Sequence, residues 1–344
     1  MENNVIISKT SCNIKNYNGI DVAKFLCSFL VVAIHISPLN SPMDGELSSA
    51  SVLINDVFQL ILCRIAVPFF FVCSGFFLFH KMPAGTLDVV RIKNYCYKML
   101  RLLGMWSVLL FWGGSGHLWY LGATVVAVVL LSICLHHGIK VRWLVLMACT
   151  LYTFGLLGDS YNGLIKPFVG SGIMMYIYAA YDFVIGYSRN GILMGFIFVL
   201  IGYLFARYKI RLRLSTALAG FIGSTLCMCA EVFLLEQNNI STSNNMYISL
   251  LPVVFFLFAF TSSLPLASRP IYAKLRTVGV LVYFLHLFIH RGIWAVKIFL
   301  YKFIHLDIQP LQFFIVLAAA VLIAFGIEWL SHKERFKWIQ WFLS

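Results

Sequence analysis

Charge is scarce in this chain: 11% of its 344 residues are charged, whereas 61% are hydrophobic. That balance excludes an ordinary water-soluble domain. Acidic residues are the scarcer sign, 13 against 26 Lys and Arg, for a formal net charge of +13. The surplus is spread over many short loops that no module gathers, which excludes nucleic-acid binding. None of the nine cysteines falls in a loop predicted to face outward, so they read as small apolar core residues or cytosol-facing thiols rather than a disulfide framework. The first apolar run follows a polar stretch of about 20 residues and lacks a small-residue cleavage site, so it reads as a retained anchor, not a signal peptide. Neither internal repeats nor an inverted pair of broken helices is evident, which argues against a conventional carrier.

What the chain has instead is a succession of apolar runs near 20 residues, long enough to cross about 30 Å of hydrocarbon as helix. Hydropathy with Pro, Gly and polar punctuation predicts an all-α membrane protein with ten spans: 20–39, 57–79, 95–113, 118–135, 142–157, 190–207, 214–235, 246–264, 277–301 and 311–331. Residues 1–19 and 332–344 flank this transmembrane domain of residues 20–331, and the Gly- and aromatic-rich stretch from Tyr161 to Ser188 reads as a folded outer loop or re-entrant segment. Lys81, Arg91, Lys98, Arg101, Lys140, Arg207, Lys209, Arg269, Lys274 and Lys333 fall on the side of the termini. The opposite loops hold Asp44, Glu46, Asp56, Asp159, Asp182, Glu236 and Asp307, with few cations beyond Lys166, Arg189 and Lys302. The positive-inside rule then predicts a multi-pass protein with both termini cytoplasmic.

Polar groups inside these spans are expensive in lipid and are functional candidates by default. On the first span Asp21, Lys24, Ser28 and His35 fall within about 60° of one another at 100° per residue, one polar stripe on an otherwise apolar helix. Lys24 and His35 are separated by roughly 16 Å along the axis, which places Lys24 near the cytoplasmic mouth and His35 in the outer half. Arg64 lies about two turns below the outer end of the second span, followed by Pro68 and Gly75, which allow that helix to bend or pack closely. His117 comes to the outer end of the fourth span beside Trp119 and Tyr120, which suit either an interface belt or a site wall. Asp182, Arg189 and Glu231 also come out near the outer face, and Tyr283, His286 and His290 share one helix face at i, i+3 and i+7. A metal is not predicted: the i, i+4 pair His286 and His290 lacks a His-Glu-x-x-His context or a nearby cysteine pair. The pattern predicts a wet, outward-opening cavity lined by His35, Arg64, His117, Arg189, Glu231 and His290.

The blocks "YNGIDVAKFLCSFLVVAIHISPL", "CRIAVPFFFVCSGFFLF", "HLWYLGA", "YSRNGILMG" and "LVYFLHLFIH", in this order over nearly the whole chain, resemble the acyltransferase-3 superfamily of ten-helix membrane proteins. Within it they most resemble the membrane domain of the vancomycin-resistance membrane-bound serine racemases. The resemblance implies a catalytic role for His35 and for Arg64, and a coenzyme-phosphate role for Lys24 and for "KMLR", Lys98 to Arg101, where the family carries Arg-x-x-Arg. Lysine in place of arginine at Lys24 and Lys98 gives up bidentate phosphate recognition. In the racemase branch the membrane domain precedes a soluble pyridoxal-phosphate-dependent domain and supplies L-serine. This chain ends about a dozen residues past its last span, so no racemase activity is expected from it alone, and it reads as a piece of a longer protein or a free-standing relative.

Two functions follow. As a supply module of the bacterial cytoplasmic membrane, the cavity would bind L-serine, with Arg64 on the carboxylate, Glu231 or Asp182 on the ammonium, and His117, Trp119, Tyr120, Arg189, His286 and His290 completing the pocket. As an acyltransferase, the chain would carry an acyl group from cytoplasmic acyl-CoA to an outward-facing hydroxyl or amine, with His35 as general base and Arg64 stabilising the oxyanion. A membrane anchor with a vestigial site is the third reading. The sequence leaves open the substrate, whether the cavity opens inward, and dimerisation.

Overall fold

A computed structural model describes residues 17–83, 86–111, 116–169, 172–185, 187–241 and 243–343. Eleven principal helices follow in chain order among them: α1 Asn18–His35, α2 Ser49–His80, α3 Val89–Leu109, α4 Gly116–His136, α5 Val141–Leu157, α6 Ile173–Ile185, α7 Gly191–Tyr208, α8 Leu214–Gln237, α9 Leu250–Ser263, α10 Pro270–Ile304 and α11 Gln309–Ser331. The fold is all-α, as its apolar composition requires: in lipid, backbone groups must be satisfied within each segment. Seven helices are long and apolar enough to cross a membrane, or eight if α5 is joined to Asn162–Phe168, from which it turns by 75°.

All ten predicted segments are helical, but three fall short of independent spans for physical reasons. Helix α3 carries Arg91, Lys93, Lys98 and Arg101. Helix α5 has only 17 residues before its bend. Helix α9, at 14 residues, reaches only about 21 Å, because the residues before it form a loop whose N–H groups are bound by side chains. The Tyr161–Ser188 stretch is largely helical too, through Lys166–Val169 and α6.

Helix α1 runs through the middle of the bundle against α2, α9, α10 and α11. Its first residues and the last of α2 share one end, here called the base, where the Tyr17 hydroxyl meets His80 Nε2 at 3.3 Å and Asn18 donates to the carbonyls of Leu266 and Ala267. At the other end, the top, the Met43 N–H donates to Asp307 and the Tyr301 hydroxyl to Asp44. Helices α2 and α7 are pressed together at Gly75 and Gly202: a Cβ on Gly202 would run into the Val72 carbonyl and the Phe76 N–H, and one on Gly75 into the Val199 carbonyl. This backbone-to-backbone approach, which only small residues allow in lipid, sets the depth of Arg64 relative to the start of α7.

Candidate functional site

Arg64 is placed by an irregularity in α2. Pro68 has no N–H for the carbonyl of Arg64, and the helix answers with a π turn at Phe58–Leu62 and a 3₁₀ turn at Cys63–Ile65. Arg189 is placed by another. The Asn190 side chain accepts from the N–H groups of Ile192 and Leu193 at 2.9 and 2.8 Å, starting α7 in a π turn directly after Arg189.

Both arginines line a small cavity of about 50 Å³ at the top, with His35, Cys63, His117, Trp119, Asn245 and Tyr283 among its walls. That volume holds a few waters or one small ligand. Arg64 donates from Nη1 to Asn245 Oδ1 at 2.8 Å, and its Nε has no partner. Arg189 stands 6.0 Å from the centre of the Trp119 ring. Among the described residues, no Asp or Glu lines this cavity, so the field of the two arginines favours an anion.

Asn245 gave no signal in the sequence, yet it fixes the geometry. Asp159, buried, accepts from the Asn245 N–H at 2.8 Å, the Asn245 side-chain amide at 3.0 Å, the Met246 N–H at 3.2 Å and the Ser160 hydroxyl at 3.0 Å. With its NH₂ held by a carboxylate, Asn245 can present only its oxygen to Arg64. Asp159 is thereby a structural clamp rather than a ligand group.

His35 and His117 line this cavity, and the buried His286 lies beside them. The ring of His35, exposed at the end of α1, lies 5.2 Å from that of His286 and 6.2 Å from that of His117, and the His117 and His286 rings are 5.0 Å apart. The Tyr283 hydroxyl donates to the His117 carbonyl at 2.6 Å. Among the described residues, no group of His, Cys, Asp or Glu is arranged to hold a metal ion.

The other predicted site residues lie elsewhere. Glu231 is not in the wall: its carboxylate accepts from the Tyr161 hydroxyl at 2.6 Å, the N–H groups of Ile248 and Ser249 at 2.7 and 2.8 Å, and the Ser249 hydroxyl. It caps the start of α9, where the helix dipole favours an anion. Burial, followed by the bond to Glu231, raises the pKa of the Tyr161 hydroxyl above its ordinary value. His290 pairs with Gln312 at 3.0 Å and does not line the cavity. The side chain of Asp182 lies outside the described residues.

The polar stripe of α1 divides between two compartments. Asp21 is buried and accepts a bidentate pair from Arg276 at 2.9 and 2.8 Å, and Ser28 donates to the Phe25 carbonyl. Lys24 and Lys98 line a second cavity of about 290 Å³ toward the base, with Ser74, Tyr95, Tyr120 and Arg276 among its polar walls and Phe70, Phe77 and Phe284 among its apolar ones. Arg101 turns away to Trp341, donating to its carbonyl at 3.3 Å and lying over its ring, while nearby Leu343 reaches the cavity wall. Tyr120 thus belongs to the base cavity and Trp119 to the top one, and Tyr283 lines both.

A bundle of apolar helices long enough to cross a membrane, with a first-helix histidine and a second-helix arginine on one cavity, is that of a polytopic membrane protein. Residues 17–103 match the family described as an acyltransferase domain, as the sequence resemblance implied. The chain is similar to an amino-acid racemase of Enterococcus faecalis, 30% identical over 266 residues, covering 71% of this chain and 35% of that protein. It is similar also to a serine/alanine racemase of Enterococcus gallinarum, 31% identical over 269 residues, covering 70% of this chain and 36% of that protein. The chain therefore spans about a third of the length of these curated relatives. No solved structure matches it.

Proposed function

We propose that the top cavity binds a small hydroxy amino acid, L-serine, and that the chain supplies it across the bacterial cytoplasmic membrane to a pyridoxal-phosphate-dependent racemase domain that forms D-serine. The supporting observation is the pair Arg64 and Arg189 on the wall of a cavity that no carboxylate lines among the described residues, with Arg64 oriented by Asn245 and its Nε still unpartnered. A planar guanidinium with free donors matches a carboxylate in a way an ammonium cannot. Glu231, committed to α9, is not available to the ligand's ammonium; the face of Trp119 and the imidazoles of His35 and His117 take that role. The test is L-serine uptake by proteoliposomes. Arg64→Lys is expected to cut uptake at least tenfold, and His35→Gln to retain more of it than His35→Ala, since an amide can restore part of a lost hydrogen bond. Uptake no greater than in protein-free vesicles refutes the reading.

The base cavity favours a second reading. Two lysines beside an apolar wall suit the phosphates and acyl chain of an acyl-CoA, with His35 taking a hydroxyl proton as that oxygen attacks the thioester and the thiol leaves. Lys24→Ala with Lys98→Ala is then expected to abolish coenzyme A binding by calorimetry in detergent. Wild-type protein that binds no coenzyme A excludes this reading.

A further inference from the structure

His286 is fully buried, and its two ring nitrogens have different surroundings. Nδ1 lies 2.8 Å from the Tyr283 carbonyl and 3.2 Å from that of Val282. Carbonyls only accept, so the proton sits on Nδ1 and Nε2 carries a bare lone pair. That Nε2 is buried and has no hydrogen-bond partner, an unfavourable state unless a donor reaches it. The neighbouring rings are His35 and His117. Two imidazoles joined edge to edge by an N–H···N bond of about 2.9 Å have centroids roughly 5.2 Å apart. His35 stands at 5.2 Å from His286, tilted by 34°. That separation is the one such a bond requires, and the His35 ring can turn about its last side-chain torsion, a broad and shallow degree of freedom. Both His35 and His117 line the cavity, but His35 is the exposed member of the trio, whereas His117 is buried, so His35 is the one that combines contact with His286 and a solvent-open ring.

We propose that His286 is the positioning residue for His35: its Nε2 accepts the His35 N–H, locks His35 in one tautomer, and leaves the other His35 nitrogen as a lone-pair acceptor facing the ligand. This rests on the reading of the top cavity as a ligand site and specifies what His35 offers there. A hydroxyl or ammonium donor is recognised; a ligand with only acceptors at that position is not. The ordering is supplied by the main chain of α10 through Nδ1, so no acidic residue is needed to orient the base.

The experiment is ¹⁵N NMR of histidine-labelled full-length chain in bilayers, with the His35 signals identified by their loss in His35→Gln. The wild type should show a single neutral His35 tautomer. His286→Gln, whose amide oxygen can still accept, should retain it, whereas His286→Met, adaptable in shape but without a comparable acceptor, should give a mixture. A mixed His35 population in the wild type, or an unchanged single tautomer in His286→Met, overturns the proposal. The wild-type spectrum decides even if His286→Met fails to fold. In the uptake assay His286→Met should weaken apparent L-serine affinity roughly tenfold, with His286→Gln between it and the wild type. A locked tautomer in a protein that takes up no L-serine would retain the positioning role and discard the transport reading.

Discussion

Glu231 and Asp159 show how little a charged residue's identity says about its work. In sequence Glu231 looks like a ligand group near the outer face and Asp159 like one charge among the outer loops, yet both bind backbone N–H groups. The Glu231 oxygens satisfy the N–H groups of Ile248 and Ser249 and two hydroxyls, which would otherwise be orphaned at the start of α9. Glu231→Gln replaces one acceptor oxygen by a donor in a site of donors, so it is expected to destabilise the fold by about 1–3 kcal/mol. Thermal unfolding in detergent should register that loss, while the affinity of the folded fraction for L-serine stays unchanged. A selective loss of affinity would return Glu231 to the ligand site. Asn245 is the opposite case, a neutral residue that sets the geometry of a charged one. Its contact with Arg64 spans 181 positions of sequence, and no local pattern encodes it.

At the scale of the helix, the chain uses breaks as much as regular turns. Pro68 and the Asn190 cap produce the irregular turns that aim Arg64 and Arg189 at one cavity, and the Gly75–Gly202 contact holds α2 and α7 in the register that lets them meet. Gly202→Leu drives a side chain into the Val72 carbonyl and Phe76 N–H. Such overpacking should cost about 1–3 kcal/mol or more and lower the yield of monodisperse protein. Gly223→Ala on α8, where an added Cβ meets nothing within 4 Å, should be neutral or stabilise by up to about 1 kcal/mol. Equal behaviour of the two variants in a thermal melt would show that the close crossing does not hold these helices together. Helical periodicity made the α1 stripe legible, because Asp21, Lys24, Ser28 and His35 share a face by local geometry alone. It could not reveal that the stripe feeds two compartments divided at Tyr283.

For the molecule as a whole, the arrangement of top and base rests on the distribution of basic loops, and its sidedness is directly measurable. In a background with the exposed Cys149 and Cys227 replaced, cysteines at Asp44 and Glu236 should react with an impermeant thiol reagent in intact cells. A cysteine at Lys209 should not. The reverse pattern would invert the membrane orientation and place the His35 cavity on the cytoplasmic side. Sequence by itself determined the membrane class, the helical segments, and the presence of His35 and Arg64 at matching depth on the first two spans. These follow from hydropathy and from periodicities of a few residues, which act locally along the chain. Only the tertiary structure decided which polar groups share a cavity. It brought Asn245 and Arg189 to Arg64, set His286 behind His35, and withdrew Glu231 and His290. The physical reason is that inter-helix register depends on backbone contact between glycines and on capping of distant loops, interactions whose partners are far apart in sequence and close only once the bundle has packed.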